Sequence, residues 1–285
     1  MTAPAPAPAP GHAAQFAPVP IGVAPNGARR GRADHPALPL DAAALARDAA
    51  ACAAAGASWF HVHVREPDGR HSLDPALYRD AFAAIRAQVG DALLLQMTTE
   101  AAGRYQPAQQ IAAVRALRPR AVSIAVRELL ASADDYAEAC ALLRELAAEH
   151  CAVQFIAYAR GDVERLRHWL ADAAVALPVE VLLVLGAYVQ ARDGQPAELL
   201  PLLGALESDW GWSVCAFGSG ETACLVTAAA LGGGVRVGFE NNLWLPDGRQ
   251  AADNAELVGH LVDALARLGL RPATAAQTRA RFARR

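Results

Sequence analysis

The chain has 285 residues, 54% of them hydrophobic and 19% charged, enough to bury the core of one large α/β domain or of two smaller ones. A net charge of −3 gives no field to gather nucleic acid or an acidic membrane surface. No apolar run approaches the roughly 18–20 uninterrupted residues that a membrane span needs.

Two features of composition narrow the chemistry. All 26 of the Lys and Arg residues are arginine, so Schiff-base aldolases, pyridoxal-phosphate enzymes and P-loop NTPases, which need a lysine, are excluded. Carbon–carbon bond chemistry in such a chain requires another electron sink, such as a metal. The cysteines Cys52, Cys140, Cys151, Cys215 and Cys224 are odd in number and form no Cys-x-x-Cys pair. Neither a disulfide framework nor a cysteine zinc site is expected, and reduced thiols in a cytoplasmic protein fit best.

Residues 1–17 carry an Ala-Pro alternation without a basic-then-apolar pattern. This stretch is expected to be a disordered or polyproline-like tail outside the fold, not a secretory signal. A first strand is predicted over Val19–Ala24, ending in the turn Pro25-Asn26-Gly27 with Arg29 and Arg30 just beyond. Asp41 caps a helix to about Ala55, stopped by Gly56. Trp59 to Arg65 reads as a buried strand. Within it His61 and His63, two residues apart, share one face, which suits two imidazole ligands on one metal.

Further along, Asp74-Pro75 opens a helix to about Gly90, Leu93–Thr99 is a third strand, and Pro107 opens a helix to Leu117. Ala121–Val126 is a fourth strand, Ala133–Glu149 a helix, and Ala152–Tyr158 a fifth strand. Asp162 is expected to cap the next helix, to about Ala173. Pro178–Leu185 is a sixth strand, Ala197–Leu206 a helix, and Trp212–Phe217 a seventh strand. Glu221–Leu231 is a helix, Val235–Phe239 the eighth strand, Ala252–Leu268 the last full helix, and Thr274–Arg285 a helical tail.

Near-continuous apolar strands alternating with helices imply a parallel sheet, and eight such units in about 250 residues fit a single (β/α)₈ TIM barrel over residues 18–285. Gly218-Ser219-Gly220 does not complete a dinucleotide-binding fingerprint. In a barrel the strand C-termini share one face, so the polar residues there are candidates for chemistry. They include Asn26 and Arg29 after the first strand, His61, His63 and Arg65 on the second, and Thr98, Thr99 and Glu100 after the third. Arg127, Glu128, Tyr158, Ser219 and Glu221 follow on later units, and the eighth contributes Arg236 and Glu240. Barrel closure puts the first strand between the eighth and the second, so Glu240 can reach the histidine pair. Two imidazoles and one carboxylate leave a coordination position open, the pattern of a catalytic metal. Arg236 faces either this site or a carboxylate lower in the barrel. Of the other histidines, His71 reads as a loop residue and His35 as a rim candidate. No histidine stands at a later strand end, which disfavours a metal-dependent hydrolase.

The ordered set Ala24-Pro25-Asn26-Gly27-Ala28-Arg29, Leu38-Pro39-Leu40, His61-Val62-His63-Val64-Arg65, Thr98-Thr99-Glu100 and Arg236-Val237-Gly238-Phe239-Glu240-Asn241-Asn242-Leu243 resembles the β-keto acid cleavage enzyme family. The resemblance implies a homotetrameric barrel with one Zn²⁺ per subunit, turning a β-keto acid and acetyl-CoA into acetoacetate and a new acyl-CoA. His61, His63 and Glu240 match the zinc ligands, and Arg236 matches the catalytic arginine. Thr98 stands where the aminohexanoate-cleaving members have a serine near the substrate. Asn26, Arg29, Thr99 and Glu100 form the expected substrate-binding set. Asn241 replaces an aspartate proposed as the base, and an amide cannot take a proton at neutral pH, so either Glu221 or Glu100 serves or the zinc makes a weak base sufficient. Arg29 replaces a glutamate that meets the substrate's ammonium, which predicts a neutral or anionic β-keto acid. The competing readings are a zinc hydrolase or lyase that needs no CoA, and a barrel that binds zinc and ligand without turnover.

Overall fold

The computed structural model describes residues 16–187 and 192–283, so nearly all of the expected Ala/Pro-rich tail lies outside the described residues. Strands β1 (Ile21–Val23), β2 (Trp59–Val62), β5 (Leu94–Thr98), β6 (Ala121–Ala125), β7 (Ala152–Ala157), β8 (Glu180–Leu185), β9 (Gly211–Ala216) and β10 (Gly234–Val237) form a closed barrel in that spatial order, β10 returning to β1. Every pairing is parallel, with His61 opposite Gln96 and Gly22 opposite Arg236. The expected TIM barrel is therefore the observed fold.

One expected strand is broken. The run from Trp59 to Arg65 leaves the barrel after Val62, and Val64–Arg65 (β3) pairs antiparallel with His71–Ser72 (β4). The turn between them is Glu66 to Arg70, where Gly69 sits at φ +86° and the Arg70 N–H donates to Asp68. His71 is thus a strand residue, not a loop residue. His35 is no rim group either, since its Nε2 lies 2.8 Å from the Ala251 carbonyl and its ring packs 4.2 Å from Phe239.

Helices α1 (Ala42–Ala55), α2 (Pro75–Val89), α3 (Pro107–Leu117), α4 (Val126–Leu129), α5 (Tyr136–Ala148), α6 (Arg160–Ala173), α7 (Leu199–Leu203), α8 (Glu221–Ala230) and α9 (Asn254–Ala266) cover the barrel. Asp41 and Asp74 cap α1 and α2 as expected, each accepting from a backbone N–H at 2.8 Å. Asp162 is not the N-cap of α6. The helix starts two residues earlier, and its carboxylate accepts from the Tyr158 and Ala159 N–H groups from inside the first turn. The helix expected over 197–206 shortens to α7, preceded by a 3₁₀ turn at Pro196–Glu198. A final helix, α10 (Ala275–Phe282), closes the barrel floor, with Phe282 against Trp59 and the Thr278 hydroxyl 2.7 Å from Ser58 Oγ. Leu45, Ile85, Leu143, Leu225 and Leu261, on the inner faces of α1, α2, α5, α8 and α9, are at most 1% exposed. Burying each stabilises the helix-to-sheet interface by about 1.5–3 kcal/mol. No described helix is long and apolar enough to cross a membrane.

Candidate active site

His61, next to last in β2, faces inward, and His63 follows at the point where the chain leaves the barrel. Their rings stand edge to face, 4.9 Å apart, with the two Nε2 atoms at 3.0 Å. Glu240 lies in the tight turn after β10, and its backbone N–H donates to the Ala24 carbonyl at 3.0 Å. Two glycines make this approach possible. Gly238 takes φ +135°, where a Cβ would sit 2.4 Å from the Ala24 carbonyl, and a Cβ on Gly27 would meet the Glu240 side chain at 2.6 Å.

Glu240 Oε2 lies 3.0 Å from His63 Nε2 and 3.7 Å from His61 Nε2. A tetrahedral zinc with bonds of about 2.0 Å separates its ligand atoms by about 3.3 Å, so these three groups fit the ion. Their chemistry fits as well. Burial first, then Arg236, holds the His61 imidazole down at about 3, so it is neutral and ready to ligate. Burial alone would raise the Glu240 carboxyl, but Arg236 and then His63 hold it well below the usual carboxylate range.

Arg236 points up into the site, not down into the barrel. One nitrogen, Nη2, donates to Glu240 Oε1 at 2.8 Å and to Asn241 Oδ1 at 2.9 Å. Its Nε and Nη1, and the Nδ2 of Asn241, are buried without any hydrogen-bond partner. Leaving one buried donor unsatisfied costs about 1–3 kcal/mol, so three together mark a place built to receive an anionic oxygen. Arg236 and Asn241 line a cavity of about 30 Å³ with His61, Thr98, Glu100 and Glu240. Its far wall is Ala125, Ile156, Val184 and Phe217, with Tyr158.

Thr98 and Thr99 both line this cavity, but their hydroxyls are engaged. Thr98 Oγ1 accepts from the Glu100 N–H at 3.1 Å, and Thr99 Oγ1 donates to the Ser123 carbonyl at 2.9 Å. Glu100 reaches between the histidines and the rim, 3.8 Å from His63 Nδ1 and 3.8 Å from Arg29 Nε. Burial first, with Glu240 and Glu128 adding to it against His63, raises its carboxyl above the ordinary range. Arg29 is largely exposed at the mouth. Asn26 sits behind His63, its amide donating to the Pro39 and His63 carbonyls at 2.8 and 3.1 Å, so it braces the His63 backbone.

Glu221, weighed with Glu100 as a base, does not line the cavity. It accepts from Asn242 Nδ2 at 3.0 Å, and burial pushes its carboxyl up to about 8 against Asn242, the Gly238 N–H, Arg236 and Arg30. Because the folded value lies above the ordinary 4.5, the native state holds the proton more tightly. The stability this lends is full below about pH 4.5 and is lost as pH rises through 8. Glu221→Gln should therefore match wild type near pH 4 and exceed it at pH 9, by up to about 5 kcal/mol at 1.36 kcal/mol per unit. Denaturant unfolding at both pH values measures this. Parallel stability curves would show that Glu221 is ionised in the fold.

One group went unread in the sequence. Gln96 stands beside His61, its Oε1 lying 2.8 Å from the imidazole Nδ1. The available signal was a lone amide inside an otherwise apolar strand.

A (β/α)₈ barrel that gathers two histidines, a glutamate and unsatisfied donors at its C-terminal mouth has the make-up of a metal-assisted enzyme. Residues 18–283 match the family described as beta-keto acid cleavage enzyme, and the chain belongs to that family. It is similar to the 3-keto-5-aminohexanoate cleavage enzyme of Fusobacterium nucleatum subsp. nucleatum, 26% identical over 258 residues, covering 89% of this chain and 93% of that one. It is also similar to the 3-oxoadipate:acetyl-CoA acetyltransferase of Cupriavidus necator, 26% identical over 274 residues, covering 92% of this chain and 94% of that one. Among solved structures, ObcA in binary complex with oxaloacetate shares the fold at a TM-score of 0.71 and 17% identity, over 87% of this chain and 67% of that one.

Proposed function

We propose that the protein is a zinc-dependent β-keto acid cleavage enzyme, converting a neutral or anionic β-keto acid and acetyl-CoA into acetoacetate and a new acyl-CoA. The observation that carries this reading is the placing of His61, His63 and Glu240 beside three unsatisfied donors on Arg236 and Asn241. Zinc bound by these three residues would polarise the substrate's keto and carboxylate oxygens and acidify the methylene between them.

Glu100, close to the ligands and with its carboxyl raised above the ordinary range by burial, takes the methylene proton. The resulting carbanion forms a carbon–carbon bond to the thioester carbonyl of acetyl-CoA. Arg236 Nε and Nη1 and Asn241 Nδ2 donate to the oxyanion that develops there. CoA leaves as the thiolate, then adds to the carbonyl that the substrate brought. The bond between that carbonyl and the central carbon breaks, and the electron pair stays on the central carbon. Glu100 returns its proton to that carbon, releasing acetoacetate and the new acyl-CoA. Thr98 and Thr99 shape the wall beside the reacting carbons.

The apolar far wall and the Arg29–Glu100 pair at the mouth both favour a substrate without an ammonium group. Arg29→Glu should shift the ratio of kcat/KM towards an amino-bearing β-keto acid by about tenfold or more, since like-charge juxtaposition costs several kcal/mol. An unchanged ratio would remove Arg29 from substrate choice. We extend the reading to a single catalytic domain over residues 18–285 and, from the family resemblance, to a homotetramer. The five buried free thiols support a reducing, cytoplasmic setting.

A screen of β-keto acids with and without acetyl-CoA, reading out acetoacetate, tests the function. Product only in the presence of the CoA ester is the expected result. Turnover without it would favour a CoA-independent hydrolase or lyase, and no turnover of any acid would favour a ligand-binding barrel.

A further inference from the structure

The interior of a TIM barrel is ordinarily filled by Val, Ile and Leu. Here a line of polar side chains crosses it from the metal-ligand end to the floor. His61 Nδ1 lies 2.8 Å from Gln96 Oε1, Gln96 Nε2 lies 3.3 Å from Gln154 Oε1, and Gln154 Nε2 lies 2.9 Å from Ser213 Oγ. Below it the Glu180 carboxyl lies next to Ser213, and Arg281 of α10 approaches that carboxyl to 3.6 Å. The five side chains come from β2, β5, β7, β9 and β8, and each is at most 2% exposed. Gly211 keeps the lower end open, because a Cβ there would sit 2.1 Å from Glu180 Oε2.

The column has a direction. At the lower end Gln154 Nε2 donates to Ser213 Oγ. That turns Gln154 Oε1 towards Gln96 Nε2, and so turns Gln96 Oε1 towards His61. An oxygen there requires the proton on His61 Nδ1, which leaves a bare lone pair on Nε2, the atom facing His63 and Glu240. Were Gln96 reversed, its oxygen would meet the Gln154 oxygen, and its NH₂ would force the His61 proton onto Nε2.

We propose that Gln96 and Gln154 are positioning residues: a directed hydrogen-bond column through the barrel, ending on Ser213, fixes the tautomer of His61 that ligates metal. The inference rests on His61, His63 and Glu240 being the metal site. A hydrogen bond from a ligating histidine to an outer partner is worth about 10- to 100-fold in metal affinity.

The test is the zinc affinity of the full-length protein by chelator competition, with nitrogen NMR of the labelled imidazoles and thermal melts alongside. Gln96→Leu, which removes the acceptor, should weaken zinc by about 10- to 100-fold and lose the Nδ1–H signature of His61. Gln96→Glu and Gln154→Glu keep an acceptor in place and should bind zinc at least as tightly as wild type, whatever their melting temperatures. Gln154→Leu frees the Gln96 amide to turn and should weaken zinc. A wild-type protein that binds no zinc would remove the metal site itself. Wild-type binding that Gln96→Leu leaves unchanged would overturn the column while the site stands. If Gln96→Leu does not fold, equal zinc affinity in Gln154→Leu and Gln154→Glu overturns it.

Discussion

Glu240→Gln should abolish stoichiometric zinc binding and lower kcat/KM by about three orders of magnitude or more. Both carboxylate oxygens are in use: Oε1 takes Arg236 Nη2 at 2.8 Å and Oε2 faces His63 Nε2 at 3.0 Å. An amide presents NH₂ to one of those positions and no charge to either. The second consequence is on stability, because Arg236 is 2% exposed and would keep its charge without a carboxylate beside it. Stranding one member of a buried ion pair costs about 3–5 kcal/mol. For a chain of this length that is a fall of about 10 °C in melting temperature. Metal content measured on the folded variant, well below its melting point, separates ligand loss from unfolding. Zinc retained at one equivalent in Glu240→Gln would remove Glu240 from the ligand set.

The fold was legible because its signals are local. Asp41, Gly56, Asp74 and Pro107 punctuate helices through their own backbone chemistry, and eight apolar runs at even spacing leave few architectures. The histidine pair was legible from its i, i+2 spacing, and Glu240 from the closure that places β1 between β10 and β2. What was not legible depends on register between distant strands. The break after Val62 is caused by the pairing of Val64 with Ser72, and a continuous apolar run hides it. The same holds for Gln96 under His61 and Gln154 beyond it, 58 residues further along the chain. Glu100 and Glu221 look equivalent in sequence, both just past a strand. Only the turn after β10, which offers Asn242 to Glu221, separates the one that faces the site from the one that does not.

That separation leads to the second large effect. Glu100→Gln should lower kcat by about 10²–10⁴, the range general-base catalysis supplies, while bound zinc stays at one equivalent. The proposed zinc ligands keep their own contacts in this variant, because Glu100 meets His63 at Nδ1, 3.8 Å away, on the side of the ring away from Nε2. Asn241 offers a way to ask whether the lost group is a base or a packing element. Its Oδ1 already accepts from Arg236 at 2.9 Å, so an aspartate fits there, and Asn241→Asp places a carboxylate on the same cavity wall. Added to Glu100→Gln, it should recover at least tenfold of the lost kcat by supplying a second proton acceptor. Alone, it should slow the acyl-transfer half of the reaction, because Asn241 Nδ2, the proposed donor to the oxyanion, becomes a carboxylate oxygen that repels it. The two substitutions are thus expected to be each harmful singly and partly compensating together, a sign pattern that simple loss of packing does not produce. Independent, additive losses in the double variant would place the proton acceptor elsewhere in the site.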